Sequence, residues 1–414
     1  MEIYLVGGAI RDKLLGLEVS ERDWVVVGAT ETDMLIKQFQ KVGKNFPVFL
    51  HPETHEEYAL ARTEKKTGKG YDGFECKSTP KITLIEDLKR RDLTINAMAE
   101  TKEGRIIDPF GGQQAIQQRL LIHVSSAFSE DPLRILRVAR LLSKLSSFGF
   151  KIASETAKLL SNMVMSGEVR SLTSERVWKE FSRALAETKP TIFIQTLRAC
   201  GALADLFPSL DKLWGILQNG KYLSEIDTGV HVSMALNIAT QLTSDPKIRF
   251  AVLCHDLGIV KSTAEQLHSY LGYGVAGVSI IKAWCRQYRV PKAYRDLAIL
   301  VARWHVYSHR AFELKSTTLV KMLYHMDVFR KPERFEAFLI AAESDARGHA
   351  GRQDIPYLQA VFLRNVAKVA KEIVAKPLIA VGLKGKKLGS CLYRARVLAV
   401  KVFRQIKLNE KVFC

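Results

Sequence analysis

The chain has 414 residues, 47% of them hydrophobic and 25% charged, and its 62 Lys and Arg against 43 Asp and Glu give a net charge of +19. That composition is the one expected of a soluble globular protein of two to four domains. No apolar run reaches roughly 18 residues without a charge, which excludes a helical membrane span, and a pI near 9.6 points to a polyanionic partner, nucleic acid above all.

The N-terminus runs straight into the strand-like IYLVGG, with no basic leader before it, so no signal peptide is expected. Six cysteines (Cys76, Cys200, Cys254, Cys285, Cys391, Cys414) show no paired spacing and read as reduced thiols of a cytoplasmic protein. Up to about residue 125, strand-like runs (IYLVGG, DWVVVG, FPVFL, EEYALAR, RIIDPFGG) alternate with short helical stretches and Gly/Pro turns. Beyond about residue 129 the strand signal fades. EDPLRILRVARLLSKL, SERVWKEFSRALAE, HVSMALNIATQL and AYRDLAILVARW place apolar residues at three- and four-residue intervals, as amphipathic helices do. The fold class predicted is α+β: a small α/β head, 1–125, on a long, mainly helical body. Polar, turn-rich stretches near 218–228 and 345–356 are candidate inner boundaries, and the body is expected to hold segments 126–222, 228–330 and 331–414.

Chemistry concentrates in the head. Glu21 and Asp23, one residue apart before WVVVG, form the kind of carboxylate pair that holds a divalent cation, and hard oxygen ligands suit Mg²⁺. Gly7 and Gly8 offer backbone that phosphates can approach closely, and Arg11 adds positive charge beside them. Arg91 in KRRDLTINA is placed to hold a triphosphate, since a guanidinium matches phosphate oxygens bidentately. Asp92 and Asn96 bond a ribose or fix the loop. In EDPLRILRVAR, helical spacing makes Asp131 and Arg134 neighbours, with Arg137 on the same side and Arg140 near it. Glu57 in HEEYALAR is a candidate third acidic residue.

GGAIRD (7–12), ERDWVVVG (21–28), KRRDLTINA (89–97), IDPFGGQQ (107–114), EDPLRILRVAR (130–140) and SERVWKE (174–180) together resemble, in order, the motifs of class II nucleotidyltransferases of the polymerase β superfamily. That family holds the bacterial CCA-adding enzymes and the poly(A) polymerases. The resemblance spans about 180 residues and implies addition of C, C and A to tRNA 3′ ends from CTP and ATP without a template, with Mg²⁺ at Glu21 and Asp23. It implies nucleotide contacts at Gly8, Arg11, Arg91, Asp131, Arg134, Arg137 and Arg140, with Asp131 and Arg134 reading the base. The alternative is a poly(A) polymerase. One position departs from the pattern: the metal motif of the family is usually Asp-x-Asp, and here it is Glu21-x-Asp23.

The second half contains VLCHDLG, with His255 and Asp256, preceded by His231 in GVHVSM. These resemble the ligands of HD-type metal-dependent phosphohydrolases, a domain that gamma-proteobacterial CCA-adding enzymes carry, associated there with phosphatase, 2′-nucleotidase and 2′,3′-cyclic phosphodiesterase activities. The implied ion is Ni²⁺ or another divalent metal. The motif departs at Ile259, at Leu271-Gly272-Tyr273 and at His305-Val306, where relatives have Lys, His-Gly-His and His-Asp. These changes predict weakened or lost metal binding and a packed structural role. The last 44 residues carry eleven Lys and Arg against two Glu. Lys384, Lys386, Lys387, Arg394 and Arg396 are expected to track tRNA phosphates. A monomer is the first expectation and a homo-oligomer the second, with no membrane partner.

Overall fold

The computed structural model describes residues 1–19, 21–42, 48–66, 68, 74–220, 223–261 and 273–409. Phe46 and Pro47 of the FPVFL run and Leu271-Gly272 of the departing motif lie outside them. The chain forms two compact units, 1–206 and 207–414.

The first unit opens on strands β1 (Glu2–Val6) and β2 (Asp23–Val27), joined through helix α1 (Gly8–Leu14). Helix α2 (Glu31–Ile36) follows, then β3 (Gln40–Lys41), β4 (Val48–Leu50), β5 (Glu57–Leu60) and the hairpin β6 (Thr63–Lys66)–β7 (Phe74–Lys77). Helix α3 (Leu84–Lys89) and strands β8 (Ala99–Glu100) and β9 (Ile106–Ile107) complete the head. The sheet runs β3-β4-β5-β2-β1-β8-β9. Successive side chains of β2 point to opposite faces. Val25 joins Val6, Leu84, Leu88 and Ala99, while Val26 joins Met34, Phe49, Tyr58 and Leu60 on the other side. A core therefore lies on each face, and Asp23 shares the face of Val25.

Two helices of the head start on capping boxes, Thr30 with Asp33 and Thr83 with Glu86, each satisfying orphan N–H groups at a helix start. Helix α4 (Gly112–Gln118) leads out of the head into α5 (Leu133–Leu145), α6 (Ser154–Met165), α7 (Ser174–Ala186) and α8 (Pro190–Ala199). The apolar stripe predicted for SERVWKEFSRALAE is observed: Val177, Phe181, Ala184 and Leu185 are buried, and Phe181 meets Phe193 of α8 edge-on at 5.6 Å.

Among the described residues the second unit is helical, apart from an antiparallel pair, Leu217–Gly220 with Leu223–Asp227. That pair occupies the polar stretch read from sequence as a boundary. Helices Thr228–Leu242, Pro246–Cys254, Lys292–His309 and Pro332–Arg347 pack around one core. The C-terminal helix Gly385–Asn409 is anchored by Arg396, which is buried, lies 3.6 Å above the Phe329 ring and donates to Tyr324 Oη at 2.8 Å. This corrects the sequence expectation for Arg396, whose cation is spent on packing. Lys384, Lys386, Lys387 and Arg394 are exposed.

Candidate active site and a histidine–aspartate cluster

In the head, β2 begins at Asp23, so Glu21 lies two residues ahead of the strand rather than on it. Asp23 sits opposite Val6 in the β1 register and opposite Glu57 in the parallel β5 register. Two carboxylates on neighbouring strands thus share one face. Glu21 is largely exposed and reaches to 3.7 Å from Arg183 of α7. Solvent meets one side of Asp23, yet the protein around its carboxyl raises the pKa by desolvation. Arg91 opposes that rise and the Glu21 charge adds to it. A carboxyl raised in this way gains from a cation beside it, and carboxylate oxygen is the donor a hard divalent ion takes.

Gly7 makes the site possible. Its φ of 77° and ψ of −136° belong to glycine, and an ideal Cβ there would lie 3.2 Å from Arg91 Nη1 and 3.9 Å from Asp23 Oδ2. Arg91 follows α3, where Asp87, fully buried, accepts from its Nη2 at 3.3 Å and from Arg90 Nη2 at 2.7 Å. Burial works against the Asp87 charge, but Arg90 and Arg91 outweigh it and hold the carboxyl below its usual range. The Nε of Arg91 is buried and makes no hydrogen bond. A guanidinium steadied on one side, with an unmatched N–H, suits an anionic oxygen. Sequence reasoning missed Asp87, although its i,i+4 spacing to Arg91 was a readable signal.

The other predicted nucleotide residues are drawn into pairs. Gly8 opens α1 against the guanidinium of Arg11. Arg11 is buried, donating through Nε to Asp12 at 2.9 Å and through Nη1 to Asn96 Oδ1 at 2.6 Å. Asp92 accepts from Arg137 Nε at 2.8 Å, from Asn96 Nδ2 at 3.1 Å and from the Leu93 N–H at 2.8 Å. Of the two roles left open for Asp92 and Asn96, these contacts are those of fixing the loop. Burial opposes the charge on Asp92, yet Arg137 and Asn96 hold its carboxyl well below the ordinary range. Arg140 pairs with Glu180 at 2.6 Å and lies 3.6 Å from Glu187.

Asp131 is not helical. Proline disfavours the α conformation in the residue before it; Asp131, before Pro132, is extended, and α5 begins only at Leu133. The helical state expected of Asp131 is therefore corrected, although the Arg134 N–H still donates to the Asp131 carbonyl at 3.0 Å and keeps the two adjacent. Asp131 accepts from Leu133 N–H at 3.1 Å and pairs with Arg176 at 2.8 Å. Arg134 donates to the carbonyls of Ala127 and Arg90.

In the second unit, His231, His255 and Asp256 converge as expected, but they are joined by residues that the sequence reading did not assign. Asp345 Oδ1 lies 3.1 Å from His231 Nε2 and 3.5 Å from His255 Nε2. His305, His309 and His349 approach the same pair of carboxylates. Asp345, from the Pro332–Arg347 helix, thus adds a carboxylate that the sequence reading did not assign, while Val306 offers none and Leu271-Gly272 lie outside the described residues. Gly348 permits this approach, since a Cβ there would lie 2.6 Å from Ala235 Cα, and it leaves His349 stacked on His231 at 4.1 Å. Burial and the neighbouring His231 charge push His349 down to about 4. His255 is raised well above its usual value: burial opposes its charge, and Asp256 and Asp345 overcome that. Nitrogen and oxygen donors held this close, with His255 Nε2 buried and making no hydrogen bond, fit a transition-metal ion.

The sheet, the carboxylate face and the Arg91 cradle define a head domain of the poly(A) polymerase type, and the model of the "Poly A polymerase head domain" matches residues 3–122. A second model, described as "Probable RNA and SrmB- binding site of polymerase A", matches residues 149–213. The chain is 54% identical to the Multifunctional CCA protein of Thioalkalivibrio sulfidiphilus, across 97% of this chain and 98% of that one. It is 49% identical to that of Pseudomonas aeruginosa, across 98% and 99%. The chain belongs to the family of multifunctional CCA proteins. Among solved structures, the CCA-adding enzyme of Bacillus stearothermophilus in complex with CTP shares the fold at a TM-score of 0.65 and 22% identity, covering 99% of this chain and 94% of that one. The Thermotoga maritima CCA-adding enzyme complexed with tRNA_CCA does so at 0.60 and 18%, covering 96% and 86%. Among the described residues, no helix is long and apolar enough to cross a membrane.

Proposed function

We infer that the first unit adds C, C and A to the 3′ end of tRNA from CTP and ATP. The observation that carries this reading is the Asp23 carboxylate beside Glu57, under a glycine turn that admits Arg91. Arg91 receives the triphosphate through the guanidinium edge turned to Gly7. Asp92 fixes the loop and steadies Arg137 for phosphate or base contact, and Asp131 and Arg134 lie where α5 begins, ready to meet the base edge. Asp23 with Glu21 or Glu57 would hold a divalent ion, Mg²⁺ by the chemistry of those carboxylates, which when bound would help activate the terminal hydroxyl and offset phosphate charge. That hydroxyl attacks the α-phosphorus, and pyrophosphate leaves in line. The exposed lysines of the C-terminal helix support the reading of tRNA as the polyanionic partner. Incubation with tRNA trimmed of its CCA tests it: sequential incorporation of two C and one A is expected, and long A tails would favour the poly(A) polymerase alternative.

A second activity, phosphoester hydrolysis by the second unit, is favoured by the histidine–aspartate cluster. The relatives' name, multifunctional, is consistent with it. Hydrolysis of 2′,3′-cAMP with added Ni²⁺ or Mg²⁺, lost in His255→Ala, is the expected result; no turnover with either ion would refute it.

A further inference from the structure

Arg11 and Asp12 are consecutive residues of α1, and side chains one residue apart on a helix do not face each other. Here they are joined nonetheless. Asp12 Oδ1 accepts from Arg11 Nε at 2.9 Å and lies 2.8 Å from its Nη2. The other oxygen, Oδ2, accepts from Lys144 Nζ at 2.9 Å, and Lys144 stands in the last turn of α5. The terminal torsion of an aspartate is broad and roughly two-fold, so a carboxylate takes its direction from whatever holds it. By holding one oxygen, Lys144 turns the other toward Arg11.

The same helix holds Arg11 from its other side. Arg11 Nη1 donates to Asn96 Oδ1 at 2.6 Å, Asn96 Nδ2 donates to Asp92 Oδ1 at 3.1 Å, and Asp92 Oδ2 accepts from Arg137 Nε at 2.8 Å. Arg137 and Lys144 stand two turns apart on one face of α5. The hydrogen-bonded path therefore leaves α5 at Lys144, passes through Arg11 and returns to α5 at Arg137. Arg11 and Asp12 are 7% and 6% exposed, so water offers little in place of these partners. The guanidinium lies against Gly8, where a Cβ would come 3.1 Å from Nη2.

We propose that Lys144 is a positioning residue for the nucleotide: acting through Asp12, it sets the plane in which the Arg11 guanidinium meets the triphosphate. The proposal deepens the nucleotide-transfer reading and rests on it. Lys144 is not required to touch the nucleotide. This role differs in kind from that of a nearby positive charge. A charge acts on phosphate through space whatever stands at position 11, whereas aiming matters only while Arg11 has a planar fork to aim. Lys144→Arg keeps a charged donor for Asp12, and Lys144→Met keeps the stem without it.

The test is a double-mutant cycle on the full chain, read as affinity for CTP by calorimetry in Mg²⁺. The Lys144 side chain is 30% exposed, so Lys144→Met is read on folded protein, with its unfolding midpoint compared with the parent; Lys144→Gln replaces it if the midpoint falls. Lys144→Met should weaken CTP binding about tenfold, and Lys144→Arg should stay within about threefold of the parent. In an Arg11→Lys background, which keeps a cation but not the fork, Lys144→Met should cost less than about twofold more. No loss in Lys144→Met overturns the proposal. So does a tenfold loss that persists in the Arg11→Lys background, which is the mark of a through-space charge or a purely structural lysine. Incorporation into trimmed tRNA is measured separately. CTP binding without incorporation sinks the transfer reading alone, and the affinity cycle still decides the role of Lys144. A parent that binds no CTP overturns both.

Discussion

Gly7→Ala is the sharpest local perturbation of the head. At φ 77° and ψ −136° an alanine is strained, at a cost of about 1–3 kcal/mol. The added Cβ also lies 3.2 Å from Arg91 Nη1, closer than ordinary contact, so the guanidinium must turn. Asp87 restrains it from the other side at 3.3 Å. The shift needed is a few tenths of an ångström, and since about 1 Å of misplacement at a group that positions substrate costs about 10² in rate, a smaller loss follows. Single-turnover incorporation of CTP and ATP on trimmed tRNA should therefore fall about tenfold, with KM for nucleotide raised as well. Urea unfolding should show a loss of about 1–3 kcal/mol, leaving a folded protein. Incorporation within threefold of the parent would refute the argument that Gly7 exists to admit Arg91.

Three further outcomes follow from the same contacts. Glu21 is largely exposed and ahead of the strand, so Glu21→Asp should keep or raise incorporation at saturating Mg²⁺; a loss greater than tenfold contradicts its reading as an interchangeable carboxylate. Asp92→Asn should destabilise the first unit by about 1–3 kcal/mol at pH 7, leaving Arg137 without its partner. Because the folded pKa of Asp92 is depressed, its stabilisation is present above the unfolded value of about 3.9 and fades as pH falls toward the folded one. The gap between parent and variant should thus narrow by about 1 kcal/mol between pH 5 and pH 3, and a constant gap tells against the pairing. Arg396→Ala should cost the second unit about 2–3 kcal/mol in urea unfolding while hardly altering the salt dependence of tRNA binding. Lys386→Ala with Lys387→Ala should do the reverse, and an opposite assignment of the two effects overturns the division made here.

The head was legible in the sequence because its chemistry is local. GGAIRD, Asp23 and KRRD fall within or beside single elements. What the sequence could not supply was pairing across elements. Glu57 came beside Asp23 through strand register, and Asp87, though spaced i,i+4 from Arg91, gives no sign in the sequence of being buried. Asp131 was misread as helical since the 3–4 periodicity of α5 was extended backward through Pro132. The second unit shows the same limit more plainly. His231, His255 and Asp256 were found by motif, but Asp345 lies on a helix 89 residues beyond Asp256 with no motif around it. Its role emerges only where Gly348 lets that helix close on Ala235. Arg396 was placed with the basic tail because composition cannot distinguish a solvated cation from one stacked on Phe329.

The central claim is that Asp23 organises nucleotide transfer to tRNA. Its most direct measurement is incorporation of labelled CTP and ATP into tRNA lacking CCA, with Mg²⁺, by the parent chain and by Asp23→Ala. The parent should add two C and one A and stop, and Asp23→Ala should add none while still binding tRNA. Full incorporation by Asp23→Ala, or none by the parent, would contradict the account.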